Sequence, residues 1–501
     1  MNSIITSMRE ALIGTWEVGS PSATLGNTLL ALGALYLIAY SVYALYFHPL
    51  RAYPGPPLSA ISRLPWWIAH IRGHEPQWMT RQHEKYGPAI RFGPDDISFA
   101  DAQAWRDIYT VSKGKKENGK LLGIHGRAEG ARYLVAEPDP VRHATVRRVF
   151  SPAFAEQSLR KQEPLFQKYA DLMVACARKN GSFNMTELFD FTAFDIMAEL
   201  TFGESLGLLE TNEYSQWVTM GFSSIKAIIV LQFINSYAIT RTLFRLAEPN
   251  SMKKLRMDFY NHTVTRVDKR LQQGSDQPDL WNCVEESTVL TAGEIYANAE
   301  LLMLAGTETA SSLLTGLTYY LIKCPDKMKL LTDEVRGTFS SNEDITFEAL
   351  RKLEYLNACI REALRVYPPT ASGLPRVIAE GGTTVMGKWI PAGTSVSVHP
   401  TAANFSQANF RNPEAFIPEC WLGDPEYKDD VREVLQPFSV GPRNCLGMNM
   451  AWHEMRLLLA KLVFNFDILS DVGPEWRDQL VYILRQRKPL ICELKDVRAA
   501  A

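Results

Sequence analysis

The sequence has few cysteines, and their arrangement predicts neither a disulfide framework nor a zinc site. There are seven among 501 residues, an odd number, and no two are spaced as CxxC. This pattern argues against a disulfide-rich secreted protein and fits a reducing compartment. The cysteines are Cys176, Cys283, Cys324, Cys359, Cys420, Cys445 and Cys492.

The chain also has little net charge and no motif for a nucleotide cofactor. Its 53 basic and 55 acidic residues give a net charge of -2, so we expect no nucleic-acid partner. No GxGxxG motif occurs, so we expect no flavin or nicotinamide domain within the chain. Because no internal repeat or low-complexity tract interrupts residues 58–501, we interpret them as one large domain.

Charged residues are absent between Glu17 and Arg51, and residues 25–47 within that gap are dense in leucine, alanine and tyrosine. About twenty apolar residues can span a bilayer as a helix. The tyrosines concentrate toward the C-terminal end, as in an interfacial aromatic belt. We therefore predict a transmembrane anchor at residues 25–47, preceded by a lumenal tail at residues 1–24.

A cleaved signal peptide is the alternative for this segment. Its basic leader would be poor, because Arg9 is followed by Glu10 and a long polar lead precedes the apolar run. Arginines follow the span at positions 51, 63 and 72, so the positive-inside rule places the main body in the cytosol. Residues 48–57 are rich in proline, which fixes φ and removes a donor, and predict a stiff non-helical hinge.

The most informative motif is FxxGxRxCxG, which runs from Phe438 through Gly441, Arg443 and Cys445 to Gly447. A cysteine in a glycine-flanked loop can be a thiolate ligand to a haem iron, with the aromatic ring shielding the sulfur. The glycines let the backbone turn closely, and backbone N–H groups can tune the sulfur. The arginine is spaced to reach a haem propionate. A buried cysteine of no function is the alternative for a lone cysteine.

An amphipathic helix is predicted to follow over residues 446–464, with its N-terminus directed at the thiolate. A second long helix is predicted to begin at Thr291, where Thr291 and Glu294 form a capping box, and to run to about Ile322. Its middle reads Ala305-Gly306-Thr307-Glu308-Thr309. Glycine weakens a helix interior, and threonines can bond back to carbonyls. A tolerated imperfection in a core helix is the alternative reading.

Three further patterns contain charged residues that are candidates for specific pairing. Glu362 and Arg365 share one face of a helix predicted over residues 347–366 and can form a buried pair. Arg376 follows in Leu-Pro-Arg-Val, and His143 and Arg147 lie one turn apart on a predicted helix. His143 and Arg147 could both face an anion or could form a basic solvent-exposed surface.

Taken in order along nearly the whole chain, these motifs resemble those of the cytochrome P450 superfamily. The resemblance implies a mainly α fold with a small β region, the cytochrome P450 haem-thiolate fold, plus one N-terminal transmembrane helix. The segments FHPLRAYPGPP and RNCLGMNMAWHEMRLLLAKLVFNFD look like fungal secondary-metabolism members that resemble trichothecene-pathway hydroxylases. In the family, Glu and Arg of ExxR form a structural network behind the haem.

The resemblance also implies roles for single residues. Thr309 and Glu308 would be catalytic, Thr309 through the oxygen being activated and Glu308 through proton relay, while Ala305 and Gly306 leave room for O2 and substrate. The cofactor is haem b with Cys445 as axial ligand, and its propionates are expected to meet Arg147, Arg376, Arg443 and His143. Cys420 stands where the family usually has a third network arginine. Restoring that arginine is expected to maintain or improve haem retention.

The function implied is hydroxylation or epoxidation of a lipophilic small molecule, a secondary-metabolite intermediate, at the endoplasmic reticulum membrane. Electrons are expected from NADPH through a separate NADPH-cytochrome reductase, with cytochrome b5 as a further partner. Segments 121–131, 302–303, 370–374 and 481–484 are candidates for lining the substrate pocket, and residues 225–239 for an entry flap or a core helix. A haem-thiolate isomerase or dehydratase, and a non-catalytic haem-binding sensor, are the alternatives.

Overall fold

The computed structural model describes residues 21–111, 114, 116–121, 132–247, 249–273, 279–285 and 287–498. Its helices are α1 (Pro21–Val42), α2 (Pro57–Ile61), α3 (Leu64–Ile71), α4 (Glu75–Tyr86), α5 (Ala102–Tyr109), α6 (Pro140–Phe150), α7 (Glu156–Asn180), α8 (Met185–Phe202), α9 (Leu208–Thr211), α10 (Gln216–Ser236), α11 (Ala238–Ala247), α12 (Asn250–Gln273), α13 (Asn282–Glu285), α14 (Ala292–Lys323), α15 (Pro325–Thr338), α16 (Phe347–Leu350), α17 (Glu354–Val366), α18 (Pro400–Asn404) and α19 (Met448–Asn465). The strands are β1 (Ala89–Gly93), β2 (Asp96–Phe99), β3 (Gly119–Lys120), β4 (Ser182–Asn184), β5 (Arg376–Val377), β6 (Thr383–Val385), β7 (Lys388–Ile390), β8 (Ser395–Val398), β9 (Phe466–Leu469) and β10 (Ile491–Asp496).

Helix α14 forms the centre of the helical part and packs along α8. Its C-terminal half is buried all round, with Leu313, Leu314 and Leu317 fully enclosed in the main core. Burial of such side chains stabilises the fold by about 1.5–3 kcal/mol each. The N-terminus has the predicted capping box, in which Thr291 and Glu294 satisfy each other's backbone N–H groups.

The small β region consists of three sheets. The largest has the order β1-β2-β8-β5-β3, in which β2 and β8 run parallel and the other neighbours are antiparallel. A second sheet has the order β4-β10-β9, and β6 pairs with β7. In the first sheet Lys120 of β3 lies opposite Arg376 of β5, so the sheet brings two cations together beside the site described below. The mainly α fold with a small β region is thus confirmed.

The apolar N-terminal segment is an exposed helix. The stretch Leu25–Phe47 is long and apolar enough to cross a membrane, and its leucine side chains point away from the protein. Its end is tied to the rest of the chain by buried Arg91, which donates to the carbonyls of Ala44 (2.8 Å) and Pro94 (3.1 Å). Residues 1–20 of the predicted lumenal tail lie outside the described residues.

The hinge differs from the prediction. Residues Pro49–Ala52 form a 3-10 turn, so residues 48–57 are not wholly non-helical, and α2 already begins at Pro57. Proline at the first position supplies a helical φ, and the Nδ1 of His48 accepts the N–H of Leu50 at 3.1 Å. Proline is unfavourable inside a helix, but at the first position of a helical turn it is well tolerated, as Pro49 and Pro57 show here.

The helix predicted over residues 347–366 is divided into α16 and α17. Glu334 of α15 accepts the N–H groups of Tyr355 and Leu356, each at 2.8 Å, and so satisfies the first turn of α17. Unpaired N–H groups at a helix start need such an acceptor. The break is therefore fixed by a neighbouring helix. Helix α19 begins at Met448, two residues later than predicted.

Candidate active site

The loop before α19 presents Cys445 at its end. The Cys445 N–H donates to the carbonyl of Phe438 at 2.8 Å, which closes the loop, and Gly447 caps α19. Although much of the protein surrounds it, the Cys445 side chain is exposed to open space. Burial raises the pKa of the Cys445 thiol, while the Gly447 N–H and Arg147 lower it. Phe438 packs near Trp452, with ring centroids 6.3 Å apart.

The two glycines of the motif differ in their steric role. Gly441 has φ +80°, and a Cβ there would overlap the carbonyl oxygen of Tyr109. Gly447 has φ -86°, and within the described part of the chain a Cβ there would meet only the Phe154 ring, at 3.8 Å. The protein contacts therefore require glycine at position 441 and do not require it at position 447.

A cluster of cations gathers beside this loop. Arg147 donates to the carbonyl of Asn444 (2.7 Å) and to its side-chain oxygen (2.8 Å), next to Cys445. Arg443 is buried and paired with Glu117. Arg376 is buried, with its guanidinium 5.1 Å from the centre of the Tyr109 ring.

Burial and the neighbouring positive charges both lower the pKa values of the basic groups in this cluster. Burial, followed by Arg376 and Arg443, lowers the pKa of Lys120 to about 7. Burial, followed by Arg443, Arg147, Lys120 and Arg376, lowers the pKa of His143 to about 4. The cluster thus holds four basic side chains and a histidine, and Glu117 is its carboxylate partner among the described residues. Such an excess of buried positive charge fits a ligand that carries two carboxylates.

Two members of this site were missed by the sequence reasoning. Lys120 lies in a two-residue strand with no helical spacing to flag it. Tyr109 donates its hydroxyl to the Leu374 carbonyl at 2.7 Å and accepts the Val398 N–H at 3.2 Å, and its carbonyl oxygen occupies the space that a Cβ at Gly441 would need. Its contacts come from three distant segments, so no local pattern could have identified it.

The middle of α14 borders open space, whereas the C-terminal half of the helix is buried. Ala305 is exposed and Thr309 half-exposed, whereas Thr307 and Glu308 are buried. The predicted back-bonding occurs, because the Thr309 hydroxyl donates to the Ala305 carbonyl at 2.7 Å. A Cβ at Gly306 would lie 2.7 Å from the sulfur of Met197, so glycine allows α8 to approach here.

Glu308 points into a buried cluster of charges. Arg487 donates to Glu308 at 2.8 Å and to Asp190 at 2.7 Å, so one guanidinium serves two carboxylates. The second Glu308 oxygen has no partner among the described residues. Burial, opposed by Arg487 and reinforced by Asp190, raises the pKa of Glu308 to about 7. Glu308 can therefore hold or release a proton near neutral pH.

The Glu362–Arg365 pair is fully buried, with bonds of 2.7 and 2.9 Å. The third donor expected at Cys420 is supplied by its neighbour, because Trp421 Nε1 donates to Glu362 at 2.9 Å. The Ile417 N–H adds a bond of 2.8 Å, and the Cys420 sulfur lies 3.7 Å away. The carboxylate is thus satisfied without an arginine at position 420.

The segments predicted to line the substrate pocket differ in how far their side chains are exposed. Residues 122–131 lie outside the described residues. Met303 and Val481 are buried and point into protein, whereas Leu302 and residues 372–375 are partly exposed. Residues 225–239 span the end of α10 and the start of α11, and several apolar side chains there are exposed.

Comparison with known proteins decides the family. The cytochrome P450 family model matches residues 54–494. The chain belongs to the cytochrome P450 family. It is 40% identical to cytochrome P450 monooxygenase FUM2 of Gibberella moniliformis over 91% of this chain and 100% of that protein. Averantin hydroxylase of Dothistroma septosporum is 37% identical, over 93% of this P450 and 91% of its own length.

A third relative, cytochrome P450 monooxygenase efuB of Hormonema carpetanum, is 38% identical over 92% of this P450. The prediction of a P450 monooxygenase of fungal type is confirmed. The family implies a haem iron with a cysteine thiolate ligand. The residues here fit that group, because an accessible cysteine with N–H support stands beside a buried cluster of four basic side chains for which Glu117 is the one carboxylate partner among the described residues.

Proposed function

We propose that this P450 binds haem b through Cys445 and inserts one oxygen atom of O2 into a lipophilic small molecule. In a hydroxylation, the substrate C–H, O2, two electrons and two protons give C–OH and water. NADPH would supply the electrons through a separate NADPH-cytochrome reductase, and cytochrome b5 can serve as a further donor. The haem would supply the redox iron at which O2 is bound and reduced.

The observation that carries the proposal is the Cys445 loop with its cation cluster. Arg147, Arg376, Arg443 and His143 would neutralise the propionates, together with Lys120. Of these, Arg376 has no carboxylate bond among the described residues, and its hydrogen bond to the Pro375 carbonyl is long, at 3.4 Å. It is therefore the guanidinium best placed for a ligand's carboxylate.

Proton supply would come from α14. Thr309 borders the open space, and burial raises the pKa of Glu308, one residue before it, to about 7, so that it can take up and release a proton near neutral pH. The unpartnered Glu308 oxygen can accept a hydrogen bond from a water molecule, or from a hydroxyl group that rotates toward it. We assign Thr309 to positioning the oxygen that is reduced, and Glu308 to delivering protons to it.

The apolar surface of α10 and α11 fits a lipophilic substrate that enters from the membrane. Ile228 and Val230 of α10 are partly exposed, and Ile239, Leu243 and Leu246 of α11 are more so. An amphipathic helix of this kind can lie in a membrane interface. With the N-terminal helix as anchor, we place the enzyme on the endoplasmic reticulum, with its catalytic domain in the cytosol. The fungal relatives support a secondary-metabolite intermediate as substrate.

The carbon-monoxide difference spectrum of the reduced protein in microsomes tests the proposal. We expect the red-shifted Soret band of a thiolate-ligated haem, and its loss in Cys445→Ser. Cys324→Ser is the matched control, because that cysteine is also accessible but lies at the end of α14, and it should leave the band unchanged. A thiolate band that persists in Cys445→Ser would refute the ligand assignment.

A further inference from the structure

The turn before α4 holds a loop from the C-terminal region. The Val481 N–H donates to the carbonyl of Gly73 at 2.8 Å, and His74 forms a β-bridge with Val481. Gly73 has φ +74°, and a Cβ there would lie 2.9 Å from the Leu480 Cβ. Glycine therefore allows the two segments to lie in direct contact.

Glu75, two residues later, holds a second loop. Its buried carboxylate accepts the Ser372 hydroxyl at 2.5 Å and the Trp66 indole N–H at 3.3 Å. The His399 Nε2 lies 3.2 Å from it, while His399 Nδ1 accepts the Ala402 N–H. Burial by itself raises the pKa of Glu75, but His399, followed by His70 and Ser372, lowers it to about 2.

Both loops reach the candidate active site at their other ends. The Ser372 loop continues to Leu374, whose carbonyl accepts the Tyr109 hydroxyl, and then to Arg376 of the cation cluster. The Val481 loop continues to Arg487, which holds Glu308. A shift of either loop at Gly73–Glu75 would therefore be transmitted to groups beside the cofactor.

Helix α3 connects the same point to the entry flap. Trp66, which donates to Glu75, is followed by Trp67, whose ring lies 5.5 Å from that of Phe233 in α10. A buried carboxylate, even one paired with a histidine, is often no more stabilising than an apolar residue of similar size. Its presence at the meeting point of two loops and a helix is explained by the specific geometry that it imposes.

We propose that Glu75 is a positioning residue that, through Ser372, fixes the wall of the substrate cavity and so sets the size of molecule that reaches the cofactor. The inference rests on the proposed function, because it takes the space beside Cys445 and Thr309 as the place where substrate binds. Glu75 itself takes no part in the chemistry.

The test compares two azoles that bind haem iron through one nitrogen, small imidazole and bulky clotrimazole. Their dissociation constants are measured from the Soret difference spectra of the holoenzyme and of Ser372→Ala and Glu75→Gln. We expect the ratio of the two dissociation constants to change about tenfold in each variant. A small change in the shape of a pocket alters the discrimination between two ligands by about that factor. Imidazole alone should bind as in the wild type.

Ser205→Ala is the matched control, because it also removes a hydroxyl–carboxylate bond, to Asp195 at 2.9 Å, outside the two loops. The double variant Ser372→Ala/Glu75→Gln should match the stronger single variant, as residues of one unit do. An unchanged ratio in Ser372→Ala, or loss of haem from that variant, would overturn the proposal. Absence of the thiolate band in the wild type would instead refute the proposed function.

Discussion

Replacing Trp421 by phenylalanine removes one N–H donor from the buried Glu362 carboxylate. The affected Oε2 would keep Arg365 Nε at 2.9 Å and the Cys420 sulfur at 3.7 Å, and the latter is a weak donor. A hydrogen bond to a charged group contributes about 1.5–3 kcal/mol. Because the Trp421 side chain is only half-buried, we take about 2 kcal/mol for its loss.

This loss should accelerate the release of haem. If the bond is broken before haem leaves, about 2 kcal/mol corresponds to a rate about thirty times higher, at 1.4 kcal/mol per factor of ten. The assay follows the thiolate band of the carbon-monoxide spectrum during incubation at one elevated temperature. Trp389→Phe is the control, since Trp389 is 62% exposed in the β6–β7 hairpin. Equal rates in the two variants would refute the view that Trp421 replaces the missing arginine.

Three further predictions concern the same framework. Cys420→Arg should lower haem retention, contrary to the expectation from sequence, because position 420 is buried and the carboxylate beside it already has its donors; equal or better retention on heating would contradict this. Gly441→Ala should prevent haem incorporation in expressed protein, since left-handed backbone costs about 1–2 kcal/mol and the Cβ meets the Tyr109 carbonyl, whereas Gly447→Ala should incorporate haem. Glu308 is protonated below its pKa of about 7 and ionised above it, so peroxide released per NADPH should rise with pH through that value in the wild type and stay high and flat in Glu308→Gln; a pH-dependent Glu308→Gln would exclude the relay.

The spacing of residues was sufficient to predict the long helix and the cysteine loop. The capping box at Thr291 is formed within four residues, and the Cys445 loop closes on Phe438, seven residues earlier. Interactions over such short distances depend on local geometry, which the sequence specifies directly. The apolar helix at residues 25–47 could likewise be predicted, because length and composition alone identify a segment that is able to span a membrane.

The partners of the buried charged residues could not be predicted from the spacing of residues in the sequence. Arg487 reaches Glu308 across 179 residues, and Ser372 reaches Glu75 across 297. Nothing in either segment marks the other, because an arginine or a serine in a loop is compatible with many partners. The replacement at Cys420 shows the same limit, since a neighbouring tryptophan supplied the donor whose absence the motif implied.

The sequence by itself therefore determined the family, the mainly helical class, the cysteine loop and the apolar N-terminal helix, because each depends on the order and spacing of nearby residues. The tertiary structure decided which charges meet: it brought Lys120, Tyr109 and the arginines into one cluster, and it raised the pKa of Glu308 to about 7. Those properties depend on burial and on distances between remote segments, which exist only in the folded chain.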